Sequence, residues 1–343
     1  MVCEPDCSPT KAKELSLLFC GDAFLRTRNG DDPFAIINKG IDGYMTCINC
    51  ETSLEGGRYT DKNVTLSVDE NTLDCIPQNV SLVSIVNNHM SDRSDPADLA
   101  LALRQRGKIV IGPDNPARMS TEIKSLSFEF FSAYFSLPII RLSFNGPLAR
   151  RLEKMVRDSN AQRRVVNLHW GYEHTDAPAP FQRDLARRLV DAGANLIIGH
   201  HPHVPQGWEV YRDATIFYSL GNFNFWQFDK KPSENNKWGY MVRYDPQNGR
   251  AEPVPYRIND NYQPFAATGH DKDELLNRLE NLCHIVQSIE TTTWFSDHYA
   301  KWYSHEYKVW KKQCVKTKSP TLMLKFLIWL FLPMQIRYYI NHA

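Results

Sequence analysis

The chain has 343 residues, enough for one large α/β domain and an appendage. Hydrophobic content is 42% and charged content 23%, both ordinary for a globular protein. The formal net charge of +1 excludes a global electrostatic case for nucleic acid, so no nucleic-acid partner is expected.

Residues 1–14 read as a leader without a basic start or an apolar stretch. No signal peptide is therefore expected, and the expected location is cytoplasmic. The first apolar run, Leu15 to Cys20, ends in Gly21-Asp22. Met45 to Ile48 leads into Asn49-Cys50-Glu51, and Val80 to Val86 into Asn87-Asn88-His89. Short apolar runs bounded by turn residues read as buried strands. Asp95-Pro96 reads as an N-cap and first helical residue, with Leu99 and Leu103 on one face and Gly107 as the stop. A strand over Lys108 to Ile111 follows. Val165 to Leu168 is a further strand and ends in His169-Trp170-Gly171. Pro180 starts a second helix, with Phe181, Leu185 and Leu189 at helical spacing and Gly193 closing it. Leu196 to Ile198 runs into Gly199-His200-His201-Pro202-His203, and Ala214 to Tyr218 into Ser219-Leu220-Gly221-Asn222. A hairpin is predicted for Gly239–Tyr244 and Pro253–Ile258 around Asp245 to Gly249. From Asp271 the spacing of Leu275, Leu279, Leu282 and Val286 is helical.

Strands separated by helices form an α/β sheet, and ligands collect beyond the carboxyl ends of its strands. Five strand ends thus bring Asp, Asn, Glu and His to one edge of one sheet. These are oxygen and imidazole donors, so a site for one or two divalent cations, manganese, iron or zinc, is the leading expectation. The candidate ligands are Asp22, Glu51, Asn88, His169, His201 and His203. Three of them have a plainer alternative: a turn carboxylate for Asp22, a helix or loop cap for Glu51, a turn residue for Asn88. Asn49 shares a strand face with Glu51 and is expected behind it. An extended His201-Pro202-His203 puts two rings on one side, which is chelating geometry, and turns His200 away into a structural role. Asp92 lies three residues after His89 and is placed to orient its ring; Glu173 is placed to do the same for His169. Glu209, Tyr218 and Asn222 are expected either to line the pocket or to serve the fold. His174, His270, His284, His298, His305 and His342 carry no motif. Cys47 and Cys50 form a C-x-x-C, but residues three apart on a strand point to opposite faces, so no thiolate site is expected.

Gly21-Asp22 with Leu25, Asn49-x-Glu51-x-x-Leu54, Asn87-Asn88-His89-x-x-Asp92 and His169-Trp170-Gly171-x-Glu173 resemble the CapA / poly-γ-glutamate capsule synthesis proteins. So do Asp191 to His203, Gln206-x-x-Glu209 and Tyr218 to Phe223. The resemblance implies a metallophosphoesterase-like β-sandwich flanked by helices, with metals at the strand ends and a role in capsule or exopolymer synthesis. His89 resembles the histidine that metallophosphoesterases place beside their metals, which makes His89 and Asp92 the catalytic candidates. Metallophosphoesterases carry Asp-x-His in the first motif, where this chain has Asp22-Ala23-Phe24, and a bridging aspartate where it has Glu51.

The expected function is metal-dependent hydrolysis of a phosphoester or amide bond, with an acidic polymer or phosphoester as substrate. The alternative is a non-catalytic metal- or polymer-binding subunit supporting a membrane-bound capsule synthase. The domain is expected over 15–265, with a helical C-terminal extension over 266–343. In that extension the apolar segment 322–332 follows a lysine cluster. It is too short to span a bilayer and suits either peripheral contact with the inner face of the membrane or packing onto the domain as a core helix. The aromatic stretch Trp294 to Trp310 is expected to pack or to anchor at an interface.

Overall fold

The structure, a computed structural model, describes residues 16–26, 34–36, 44–58, 62, 64–135, 146–225 and 233–289. The aromatic stretch and the basic-apolar tail lie outside the described residues.

In chain order the strands are β1 (Ser16–Phe24), β2 (Tyr44–Cys50), the short pair β3 (Ser53–Leu54) and β4 (Ser67–Val68), β5 (Val80–Ser84), β6 (Ile109–Ile111), β7 (Ala117–Ile123) and β8 (Leu126–Tyr134). They continue with β9 (Arg163–His169), β10 (Leu196–His200), β11 (Trp208–Tyr211), β12 (Ala214–Phe217), β13 (Asn222–Phe225), β14 (Trp238–Tyr244), β15 (Ala251–Ile258) and β16 (Pro264–Ala266). The helices are α1 (Pro96–Gln105), α2 (Pro147–Arg157), α3 (Pro180–Asp191) and α4 (Gly269–Ser288).

These strands form two large sheets. The first runs β16-β15-β14-β1-β2-β5-β6, with β13 pairing β1; the second runs β11-β12-β10-β9-β8-β7. The side-chain period of two explains how they stack. Leu17, Phe19, Cys47 and Leu82 of the first sheet face Phe128, Phe130, Val165, Leu196 and Ile198 of the second in one apolar cluster. The alternate residues Leu18, Cys20, Ile48 and Val83 face outward and are covered by Leu99 and Leu103 of α1. Phe131, Val166 and Ile197 face outward from the second sheet, beneath Leu152 and Val156 of α2 and Leu185 and Leu189 of α3. The order is therefore helix, sheet, sheet, helices: the β-sandwich flanked by helices that the resemblance implies. Cys47 and Cys50 sit in different clusters, one on each face, as strand geometry requires.

The helix boundaries follow local chemistry. Asp95 caps α1 through a 2.9 Å bond from the Ala97 N–H, with Pro96 in the first turn and Gly107 at φ 74° beyond its end. The β14–β15 hairpin forms where it was expected. Along α4, Leu275 and Leu279 pack into the intersheet cluster and Val286 into the outer cluster of the second sheet. Among the described residues no helix is long and apolar enough to cross a membrane.

One expectation fails. The motif-bearing strand ends do not share a single sheet. β1, β2 and β5 are parallel neighbours in the first sheet, whereas β9 and β10 are parallel neighbours in the second. An apolar run marks a strand as buried but carries no label for its sheet, and the two sheets have parallel cores whose carboxyl ends open on the same side.

Candidate metal centre

Asp22 is fully buried on β1 and collects donors from both sheets. Asn49 Nδ2 donates to its Oδ1 at 2.9 Å, and His200 Nδ1 stands 3.0 Å from the same oxygen. The His201 backbone N–H donates to Oδ2 at 3.0 Å, and His203 Nδ1 lies 3.3 Å from it. The close approach of β1 and the Gly221 turn makes this possible. A Cβ on Gly21 would meet the Gly221 carbonyl oxygen at 2.0 Å, and the Asp22 N–H donates to that oxygen.

Glu51, just past the end of β2, is also fully buried. Its Oε1 lies 3.3 Å from Asn49 Nδ2 and 3.9 Å from His169 Nδ1, and its Oε2 has no hydrogen-bond partner. His169 ends β9. Its Nδ1 is 3.3 Å from Asn49 Nδ2 and its Nε2 is 2.9 Å from Asn88 Oδ1, so the ring uses both nitrogens within the cluster. Asn49 thus sits among Asp22, Glu51 and His169, its amide within reach of all three. Asn222 Oδ1 holds His203 Nδ1 at 2.9 Å.

The loop after β10 departs from the extended His-Pro-His. His201 has φ 97° and His203 φ 58°, both left-handed, and the ring centroids are 5.9 Å apart. The tether from His201 N–H to Asp22 bends the chain here and turns His200 onto Asp22. His200 therefore belongs to the cluster, contrary to the period-two expectation. Glu173 also lies elsewhere than predicted: its carboxylate groups with His201 and His203, not with His169. Two donor sets have ligand atoms within 4.8 Å of one another, Asp22 with Glu51 and His203, and Glu173 with His201 and His203.

Beside this cluster, His89 Nδ1 pairs with Asp92 Oδ2 at 2.6 Å, the orienting contact that the three-residue spacing suggested. The Leu66 N–H donates to the same Asp92 oxygen at 2.8 Å. Lys62 adds a contact at 2.5 Å to Asp92 Oδ1 and donates to the Asn88 carbonyl. No local pattern in the sequence marks Lys62. Glu209 and Tyr218 form a separate brace: Arg187 donates to both Glu209 oxygens at 3.1 and 2.7 Å, and the Tyr218 hydroxyl donates at 2.8 Å.

Burial and close charges set opposite tendencies. Burial would raise Asp22, but the His200 and His203 bonds hold it well below the usual carboxylate range. Burial and then the Asp22 charge push Glu51 well above it. Burial, reinforced by His201, holds His169 far below the usual imidazole range. Burial brings His201 down to about 4 against the pull of Glu173. For His203 burial opposes protonation, but Glu51 and Asp22 raise it to about 10. Glu173 is lowered, since His201 and His203 outweigh its desolvation. Asp92 is lowered too: its bond to His89 outweighs desolvation. Strongly split titrations within one buried cluster make it a candidate functional centre.

Comparison with known proteins agrees with the motifs. The family model for the bacterial capsule synthesis protein PGA_cap matches residues 119–227. The capsule biosynthesis protein CapA of Bacillus anthracis is 29% identical over 244 residues, covering 64% of this chain and 58% of that protein. The PGA biosynthesis protein CapA of Bacillus subtilis (strain 168) is 44% identical over 96 residues, covering 28% of this chain and 25% of that protein. The chain thus spans little over half the length of the first relative and a quarter of the second. A solved phosphatase from Mycoplasma pneumoniae superimposes with a TM-score of 0.48 at 12% identity, covering 79% of this chain and 100% of that one.

Proposed function

We propose, from the premise that the chain is a CapA-type capsule synthesis protein carrying the PGA_cap region over residues 119–227, that it is a metal-dependent hydrolase of a phosphoester or amide bond in exopolymer synthesis. The observation that carries this reading is an unbalanced buried cluster. Asp22, Glu51 and four imidazoles, His169, His200, His201 and His203, meet at the joint edge of two sheets, and Glu51 Oε2 and His201 Nδ1 are buried there without a partner. Unpaired buried polar groups are costly, and bound cations would satisfy them. The oxygen and nitrogen donors fit manganese, iron or zinc.

Asp22, Glu51, Asn88, His169, His201 and His203 would hold the cation or cations. A divalent ion there supplies Lewis acidity and brings a water pKa to about 7. The protein's own part is positional. Asn49 fixes the carboxylates of Asp22 and Glu51 relative to His169. Asp92 takes the Nδ1 side of His89, which leaves Nε2 as the nitrogen that delivers a proton to the leaving group. The substrate is an acidic polymer or a phosphoester, in line with the capsule and PGA biosynthesis names of the relatives.

The test uses metal-loaded protein and a panel of phosphoesters and glutamyl oligomers. His89→Ala should lose about 10²–10⁴-fold in rate while keeping its metal; His201→Ala should lose metal as well. A second reading, a non-catalytic metal- or polymer-binding subunit for a membrane polymer synthase, is favoured by Phe24. That side chain is buried against Phe225 where metallophosphoesterases carry a histidine. Metal-loaded protein that binds an oligomer without turning over any member of the panel would establish that reading instead.

A further inference from the structure

Glu173 follows the end of β9 by four residues, and its placement is not that of a support for His169. Its carboxylate, a His201 ring nitrogen and a His203 ring nitrogen lie within 4.8 Å of one another. His201 is 8% exposed, and its Nδ1 has no hydrogen-bond partner although it is buried. That nitrogen is a buried imidazole donor that no protein group engages. His203 is committed on its Nδ1 side, where Asn222 Oδ1 sits at 2.9 Å, so its Nε2 is the nitrogen left for a ligand. The left-handed backbone of His201 and His203 turns both rings away from an extended course. The Asp22 tether that fixes His201 holds this loop in place with or without Glu173.

We propose that Glu173 is itself a ligand for a divalent cation and forms, with His201 and His203, a cation position distinct from the one framed by Asp22 and Glu51. This rests on the metal-binding reading above and deepens it. A mixed carboxylate and imidazole set selects a borderline or hard divalent ion over a thiophilic one. Glu173 also comes from a different loop than the other donors, so it can be changed without touching β1 or β2.

Cobalt(II) titration of the metal-stripped full chain tests this, followed by d–d absorption and by elemental analysis. Glu173→Gln keeps the shape and removes the charge. Its metal-stripped form should show the wild-type far-ultraviolet circular dichroism. It should bind cobalt about a hundredfold more weakly in one phase, and the d–d bands should change position and intensity because a ligand atom has changed. Glu173→Asp, which keeps the carboxylate, should give an intermediate affinity, and it serves as the reporter if Glu173→Gln does not fold. Wild-type bands in a folded Glu173→Gln protein, or in Glu173→Asp at wild-type affinity, would overturn the assignment of Glu173 alone. A wild-type protein that takes up no cobalt would remove the metal-binding reading together with it.

Discussion

Glu209 and Glu51 are both carboxylates buried near strand ends, and the chain treats them in opposite ways. Glu209 is closed off: Arg187 engages both its oxygens, and the Tyr218 hydroxyl adds a third bond. Tyr218 is in turn stacked on Trp170, whose indole N–H donates to the Tyr218 carbonyl at 3.1 Å. Glu51 has a second carboxylate for a neighbour, shares the amide of Asn49 with Asp22, and keeps one oxygen without a partner. The same fold therefore satisfies one buried carboxylate on both oxygens. The unpartnered oxygen at Glu51 is what the cation-binding proposal rests on.

The harshest way to break this comparison is to damage both regions at once. Gly199 lies on β10 between them, and a Cβ there would meet the Tyr218 carbonyl oxygen at 1.9 Å. Backbone cannot yield as a side chain can. Gly199→Ala should therefore destabilise by about 3 kcal/mol or more, read as a shift in the urea midpoint at constant slope. A change in midpoint near zero would mean that the sheet and the brace are looser than described.

Next in size is the brace itself. Glu209→Gln removes a charge that Arg187 grips with two bonds, and it should cost about 2 kcal/mol without changing metal content. Loss of bound metal in that variant would place Glu209 in the centre after all. The matching change in the other region has the opposite sign. In the presence of chelator, Glu51→Gln removes a carboxylate crowded by Asp22 and should raise stability by about 1 kcal/mol, while metal affinity falls. Destabilisation of the chelated form would show that the Glu51 charge is already balanced.

A finer contrast lies in pH. His203 is raised to about 10 in the folded chain from an ordinary value of 6.5. A raised imidazole contributes stability that is complete below the unfolded value and is lost as pH rises through the folded one. His201, lowered to about 4, works in the other sense and contributes stability above 6.5 that is lost as pH falls towards 4. The metal-free protein should thus lose melting temperature between pH 6.5 and 10, and His203→Gln should flatten that slope. An unchanged slope in the variant would assign the titration elsewhere.

Much of this was legible in the sequence because chemistry and periodicity coincided there. Asp95-Pro96 and Gly107 bracket α1, and the alternation along β9 separates Val165 from Val166 onto different faces. The residues expected at the centre were legible as strand-end motifs. What escaped was long-range or conformational. Nothing in an apolar run says that β9 and β10 belong to a different sheet from β1. A period-two rule assumes extended backbone, so it failed at His201 and His203, where a hydrogen bond to Asp22 enforces positive φ. His200 was misplaced for that reason; Glu173 was assigned to its neighbour His169 in sequence, whereas its carboxylate groups with His201 and His203; and Lys62 was missed because its partner Asp92 is thirty positions away.

The central claim is that the joint edge of the two sheets is built around a divalent cation. Elemental analysis of the purified full chain, with melting curves taken with and without chelator, tests it most directly. The account predicts at least one divalent ion per chain and a loss of stability on chelation. Binding at a hundredfold excess over the dissociation constant would stabilise by about 2.7 kcal/mol. A metal-free protein whose melting temperature ignores chelator and added manganese, zinc or iron alike would contradict it.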